Sequence, residues 1–382
     1  MTVNQIYQLL NTIVGETTGQ TGIVAEDLSN IVTVGETIFD NTTWRDNYVK
    51  SLINQIGRMI FVDRPYRGFA PNIQRDSWEY GSILAKVAIK SMQAKPNPSW
   101  QLQAGQTVDQ FQFNPPDVQQ RFYNMRDAWQ IDLSRAERQV KESFKSAAEF
   151  NAFFTAIYQE IDNSSVDKLD ALTMRTINNF MGERINASVG VIDVLGAYAA
   201  DTGDTTLTAA QALTSERFGR YLAYTILTLK DQLKPRSNIY NQGTAGYLRG
   251  TPDEDLHVVL HSKYARSMEV FMQADAYHDD LVKIGSYDRV PFWQGSGTGY
   301  AISDTTQINV TLASDGETTV NRGYIIGTMF DRDAMAICND DRRVTSSYNA
   351  NGEYYNSFYK FDTMYMNDLT ENGVVLVLGN GT

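Results

Sequence analysis

Residues 83–99 read Ile83-Leu84-Ala85-Lys86-Val87-Ala88-Ile89-Lys90-Ser91-Met92-Gln93-Ala94-Lys95-Pro96-Asn97-Pro98-Ser99. Ile83, Ala85, Val87 and Ile89 alternate with Leu84, Lys86, Ala88 and Lys90, a period of two that predicts a strand. Pro96 and Pro98 have no N–H to give to a ladder, so the strand must end before them. Further on, Phe111 and Phe113 alternate with Gln110 and Gln112. The stretch from about Trp78 to Phe113 is therefore expected to be a long hairpin with a wide tip. It carries too few apolar residues per unit length to fold alone, and is expected to lie on something else.

On its C-terminal side the sequence turns helical. Ser134 with Glu137, and Ser146 with Glu149, have the spacing of capping boxes. After the second box Phe150, Phe153, Phe154, Ile157, Tyr158 and Ile161 share one helical face. Asn163 and Ser164 are read as an interruption. A further helix carries Val166, Leu169, Leu172, Ile177 and Phe180 to an end near Gly182, which completes a long helical spine. On the N-terminal side, Met1 to about Asn41 reads as an arm of weak helices (Ile6, Leu9, Leu10, Ile13) broken between Gly15 and Gly22. Trp44 to Ile60 reads as a helix closed before Pro65.

The middle of the chain alternates. Thr214 to Lys234 is a helix stopped by Pro235, Asn238 to Gly250 a Gly-rich loop, Leu256 to Leu260 a buried strand, and Lys263 to Met272 a helix. This alternation predicts a compact α/β unit. The end is mostly strand: Gly323 to Phe330, Met335 to Cys338, Arg343 to Tyr348 and Tyr354 to Met366, with a turn at Asn349-Ala350-Asn351-Gly352. Tyr355, Ser357, Tyr359, Phe361, Thr363 and Tyr365 are expected on one face. Gly373 to Leu378 reads as a buried closing strand.

Composition narrows the function. The 382 residues are 42% hydrophobic, which excludes whole-chain disorder. A net charge of −12 argues against a protein built to grip phosphates. The single cysteine, Cys338, excludes a disulfide framework within the chain and any zinc site needing two thiolates. That cysteine usage leads to the expectation of an intracellular protein, or a particle assembled inside a cell; no stretch approaches the length of a membrane span, and Met1 to Gly15 lacks the basic start and apolar run of a signal peptide. The 21 tyrosines suit surfaces buried between subunits.

Motifs for chemistry are few. His261, Asp275 and His278 have the ligand types of a zinc or iron site, but their spacing matches no metal motif. His257 and His261 are read as flanking the Leu256–Leu260 strand. The acid clusters Asp253/Glu254/Asp255, Asp331/Asp333 and Asp340/Asp341 sit next to turns. Gly295-Ser296-Gly297-Thr298-Gly299 lacks the Lys-Ser/Thr of a phosphate loop. No catalytic, metal or cofactor site is expected. The arginines at 58, 64, 67 and 75 are expected to pair with an acidic neighbour.

The order of parts resembles that of the major capsid proteins of tailed bacteriophages, the Hong Kong 97-type shell fold. Leu133-Ser134-Arg135 through Phe144, and Glu149-Phe150-Asn151-Ala152-Phe153-Phe154 to Asn163-Ser164, are similar to the spine-helix region of that family. Asp255-Leu256-His257-Val258-Val259-Leu260 is similar to its central strand. Asp331-Arg332-Asp333-Ala334-Met335, Tyr354-Tyr355-Asn356-Ser357-Phe358 and Val374-Val375-Leu376-Val377-Leu378 are similar to its closing segment.

The resemblance implies an α+β chain with an N-terminal arm and entry helix (1–60) and an extended loop (61–120). It implies a peripheral domain with the spine helix (121–187), a central α/β axial domain (188–335) and return strands (336–382). It implies a virion subunit that assembles in the host cytoplasm into hexamers and pentamers of an icosahedral shell. That shell would enclose double-stranded DNA without sequence-specific binding, and would involve a portal protein and no membrane. The chain begins almost directly with its arm, so a separate scaffolding protein is expected. Inter-subunit contacts are expected at Lys86, Lys90, Lys95 and Trp100, with Arg64 and Arg67 at the base of the loop. The competing expectations are a carbohydrate-active hydrolase using acids such as Asp331 and Asp333, and a tail or baseplate protein.

Overall fold

A computed structural model describes residues 3–19, 24–25, 29–30, 33–34, 37–38, 43–44, 47, 70–75, 84–92, 94–100, 102–107, 111, 113–136, 147–242, 247–273, 286–294 and 305–379. The chain divides into two units. One comprises Met1–Gly68, Arg126–Ala171 and Cys338–Met364, the other Phe69–Met125, Leu172–Ile337 and Tyr365–Thr382. Most of the helix expected over Trp44 to Ile60, Arg58, Arg64, Arg67, Asp275, His278 and the loop Gly295–Gly299 lie outside the described residues.

In the first unit, α1 (Val3–Thr18) buries Leu10, Ile13, Val14 and Thr17, an i, i+3, i+4, i+7 stripe. The helix passes through Gly15. It ends at Gly19, inside the break expected between Gly15 and Gly22; Gly19 takes a φ of 75° and donates its N–H to the Gly15 carbonyl, closing the last turn. The sheet of this unit is built on β4 (Arg126–Ala136), β11 (Met335–Asn349) and β12 (Tyr354–Asn367), with β12 central. β4 and β12 pair antiparallel from Tyr354↔Ala136 to Met364↔Arg126.

The capping box expected at Ser134 is thus overturned: Ser134 lies in a strand, and its hydroxyl donates to the Asn356 side chain at 2.7 Å. Trp129, Ile131 and Leu133 turn inward while Ala128, Gln130, Asp132 and Ser134 face out. That period of two outweighs a local Ser-x-x-Glu match. Tyr355, Ser357, Tyr359, Phe361 and Thr363 are buried, and Phe361 stacks on its cross-strand partner Trp129 at 4.0 Å. Alternation slips at Met364, so Tyr365 leaves the predicted face and lies under the Arg175 guanidinium.

The spine is a single helix, α2 (Ala147–Ala187), of 41 residues. Asn163 and Ser164 do not interrupt it, because exposed or half-buried polar residues cost a helix only a few tenths of a kcal/mol. Gly182 does not end it either: a Cβ there would lie 3.0 Å from the Leu312 side chain, so the glycine is a notch for packing. Residues 147–171 belong to the first unit and 172–187 to the second.

The second unit holds a five-stranded sheet in the order β5-β13-β10-β6-β7. Its strands are β5 (Val191–Asp193), β6 (Leu256–His261), β7 (Asp288–Val290), β10 (Ile325–Asp331) and β13 (Gly373–Val377). β10 pairs antiparallel with β6 and β13, and all seven of its residues are buried. Alternation sends Val258, Leu260, Ile326, Val374 and Leu376 to one face. They meet α3 (Val194–Thr202), α4 (Ala209–Ala212), α5 (Glu216–Leu233) and α6 (Ser262–Gln273) there. Val259, Ile325, Val375 and Val377 go to the other face, against Ile177, Phe180 and Met181 of α2 and against Trp293. A small hairpin, β8 (Ile308–Thr311) and β9 (Thr319–Arg322), adds Ile308 to this second layer.

Both histidines read as flanking the central strand in fact lie within β6. The helix expected from Thr214 is α5, whose first turn is capped by Ser215 accepting from the Phe218 N–H. Ser215→Ala is expected to lower stability by about 1 kcal/mol, read as a shift in urea midpoint with unchanged slope.

Candidate assembly interface

The expected hairpin is present, with a different second strand. β2 (Leu84–Ile89) pairs antiparallel with β3 (Val118–Tyr123), from Leu84↔Tyr123 to Ile89↔Val118. The strand expected around Phe111 and Phe113 starts five residues later, because Pro115 and Pro116 cannot donate to the ladder. Lys90 closes the ribbon: its N–H donates to the Asp117 carbonyl, and its ammonium lies 3.3 Å from the Asp117 carboxylate.

The two faces of the ribbon are inverted relative to a strand on a soluble body. Leu84, Lys86, Ala88, Gln119, Arg121 and Tyr123 are half-buried. Ala85, Val87, Ile89, Val118, Gln120 and Phe122 are exposed, Phe122 by 63%. The two charged side chains, Lys86 and Arg121, thus turn inward, while Val87, Ile89, Val118 and Phe122 turn to water. The apolar exposure continues toward the tip, where Met92, Phe111 and Phe113 are open and Trp100 is 94% exposed. Trp100 stands on a one-turn helix, Pro98–Trp100, and the Asn97 side chain accepts from the Ser99 N–H ahead of it. Most of the large exposed hydrophobic side chains among the described residues lie between Val87 and Met125. An apolar face of this kind marks a surface that another molecule covers.

The inward face meets an acidic turn. The Lys86 ammonium lies 2.7 Å from both the Asp368 and Glu371 carboxylates and donates to the Asp333 carbonyl at 3.1 Å. The Asp368 side chain is buried and also accepts from the N–H and hydroxyl of Thr370. Burial pushes its carboxyl up, but the Lys86 charge and these hydrogen bonds outweigh that and hold it below the ordinary range. The Asp368 carboxylate is therefore ionised at neutral pH. Burial, and then the Asp368 charge, push the nearby Tyr123 phenol well above its usual value.

On the far side of the same turn, Arg184 of α2 is fully buried. Its guanidinium donates to the carbonyls of Tyr240, Gly373 and Glu371 at 2.7–2.9 Å and to that of Leu369 at 3.5 Å, and it lies over the Phe180 ring.

Of the residues predicted to make contacts, Lys95 and Trp100 stand exposed near the tip, Lys90 pairs at the ribbon's end, and Lys86 turns into its own unit. Arg75 bonds Asp333 and the Arg332 carbonyl, so its acidic neighbour lies in the same chain. Sequence reasoning missed the outward face of Val87, Ile89 and Phe122, and also the Asp368–Glu371 turn. The first was signalled by the phase of the alternation, which sets Lys86 opposite Val87 and Ile89. The second had no local signal.

The hydrolase expectation gains nothing from the geometry. Asp331 accepts from the Thr251 hydroxyl and the Asp333 N–H, and Asp333 pairs with Arg75. They line an open depression of about 440 Å³ together with Arg249, Asp255, Arg332 and Glu371. Among the described residues no three His, Cys, Asp or Glu side chains are grouped to hold a metal. Among them, too, no helix is long and apolar enough to cross a membrane. His257 stacks on Phe330, and burial lowers its pKa.

The family model for the Phi29-like phage major capsid protein matches residues 10–377. The chain belongs to this family. It is a bacteriophage major capsid protein, a virion component with a structural rather than an enzymatic role. No curated protein sequence matches it. Solved structures agree at the level of fold. A chain in the capsid structure of Staphylococcus phage Andhra superimposes with a TM-score of 0.53 at 11% identity, covering 83% of this chain and 86% of that one. A chain in the structure of the head fiber and inner core protein gp22 of native bacteriophage P68 superimposes with a TM-score of 0.50 at 8% identity, covering 82% and 87%. The fold is α+β, with both helices and sheets.

Proposed function

We propose that this capsid protein builds its shell in the Hong Kong 97 manner, with the ribbon lying outward face down on a neighbouring copy. The observation that carries this reading is the inverted ribbon, whose outward face exposes Val87, Ile89, Val118 and Phe122 with no described residue covering them. In this reading residues 121–187 are the peripheral domain and 188–335 the axial domain, and the return strands of 336–382 close both. Residues 1–60 are an arm, and 61–120, extended to the end of β3, are the loop over the neighbour. Trp100, Lys90 and Lys95 touch the next subunit, with Arg64 and Arg67 near the loop's base.

One heterologous contact repeated around five- and six-fold axes closes a shell, and each weak contact gains from its fellows. The net charge of −12 suits a container from which double-stranded DNA slides without being gripped. Assembly in the host cytoplasm with a separate scaffolding protein, around a portal, completes the proposal.

Electron microscopy of the expressed chain, with and without the products of its neighbouring genes, tests it. Closed shells in at least one condition are expected. Tubes, or monomers under every condition, would overturn the reading.

A further inference from the structure

The ribbon's outward face has a use in the proposed shell only if the ribbon points in a defined direction. A two-stranded ribbon is too thin to hold its own direction. Its root is nevertheless gripped. Lys86 spans three acceptors, the carboxylates of Asp368 and Glu371 and the carbonyl of Asp333. Asp368 and Glu371 belong to the short link between β12 and β13, and Arg184 of α2 holds that link from behind through the carbonyls of Leu369, Glu371 and Gly373. Arg249 adds a second cation to Glu371 at 3.1 Å. Gly373 fits only as glycine: a Cβ would stand 2.5 Å from the Phe180 ring and 2.9 Å from the Arg184 Nε.

We infer that the Asp368–Gly373 link is a two-sided clasp, gripped by Lys86 from the ribbon and by Arg184 from the spine helix, which makes these two side chains positioning residues for the contact the ribbon makes. The inference rests on the ribbon being the assembly contact. The clasp sets the ribbon's inclination to α2, and so the curvature with which one copy meets the next. Lys86 acts through the ribbon, its ammonium held within its own unit. Glu371 serves both sides at once, its carboxylate holding Lys86 and its carbonyl holding Arg184. A shift of the end of α2 is thereby passed to the ribbon root through one residue.

The test compares three variants of the full chain with the parent by hydrogen–deuterium exchange of the soluble form and by electron microscopy of the assembled form. Lys86→Met with Asp368→Asn removes both charges together, so no lone carboxylate stays buried. Glu371→Gln is the milder alternative should that pair fail to fold, and Lys86→Arg is the conservative rescue. The expected result is that the double variant exchanges amides of 84–89 and 118–123 at least tenfold faster, while those of β6, β10 and β13 keep their protection. Its shells should be open or of mixed diameter, and Lys86→Arg should restore a single diameter. Unchanged ribbon protection, or a loosened ribbon with normal shells of one diameter, would overturn the clasp. If a variant of the outward face assembles normally, the contact reading fails while the exchange result on the clasp still stands.

Discussion

Replacing Val87, Ile89 and Phe122 with serine is expected to leave the chain folded and to abolish its shells. All three side chains are exposed on one face of the ribbon, with Val87 and Phe122 set on the same side by the pairing of Ala85 with Phe122 and Val87 with Gln120. Because water already surrounds them in the isolated chain, each exchange costs the fold no more than about 0.5 kcal/mol, the range of ordinary surface substitutions. In the shell the balance differs. Burying such side chains contributes about 1.5–3 kcal/mol apiece, so losing three weakens each contact by roughly 4.5–9 kcal/mol, at least about a thousandfold in affinity. A lattice multiplies that loss, because every subunit makes the contact. The measurements are thermal unfolding of the soluble chain, expected to move by a few degrees at most, and sedimentation with electron microscopy of the assembly reaction, expected to show unassembled subunits only. Normal shells at parental yield would remove the ribbon from the interface.

Much of this was legible in the residues, and the failures have physical causes. Periodicity found α5, α6, β6 and β13 because each buries one face, or both, against its own unit, so that the apolar pattern and the environment agree. Ribbon existence was legible from Ile83 to Lys90, but its pairing was not. Phe111 and Phe113 look like strand residues, and only the absence of donors at Pro115 and Pro116 moves the ladder to Val118. Ser134 misled because a capping box is a local pattern, while β4 is decided by eleven residues laid against β12. Asn163 and Ser164 misled because helix propensity is a weak prior inside a 41-residue helix.

At the candidate site, Trp100, expected at an inter-subunit contact, stands exposed beyond Pro96 and Pro98. Lys86 was read as reaching a neighbour, and it reaches Asp368 and Glu371, more than 280 residues on in the chain. Nothing at either end of so long a separation announces the pair. The same holds for Arg184, which in the sequence is one more charged residue near the end of a helix.

Arg184→Met is expected to be the most damaging single substitution for the fold. The guanidinium is completely buried, and burial lowers its pKa from the ordinary value to about 9, so it carries its charge at neutral pH at a real desolvation cost. What offsets that cost is a set of neutral carbonyls, of Tyr240, Gly373, Glu371 and Leu369, with the Phe180 ring beneath. Methionine would relieve the desolvation but leave those oxygens without the donor, and a buried unsatisfied polar group costs about 1–3 kcal/mol. Three well-formed bonds lost against one desolvation relieved leaves a net loss of about 4 kcal/mol, a large fraction of the 5–15 kcal/mol that typically holds a domain together. Arg184→Lys keeps the charge but presents one nitrogen where two now serve different carbonyls, so it should fall between parent and methionine. Urea unfolding of the soluble chain checks the order, parent above lysine above methionine. Because the same side chain anchors the turn that holds Lys86, the ribbon amides should lose protection before the sheet does as urea rises. A methionine variant as stable as the parent would mean that the turn finds other donors, and that the end of the spine helix does not depend on this residue.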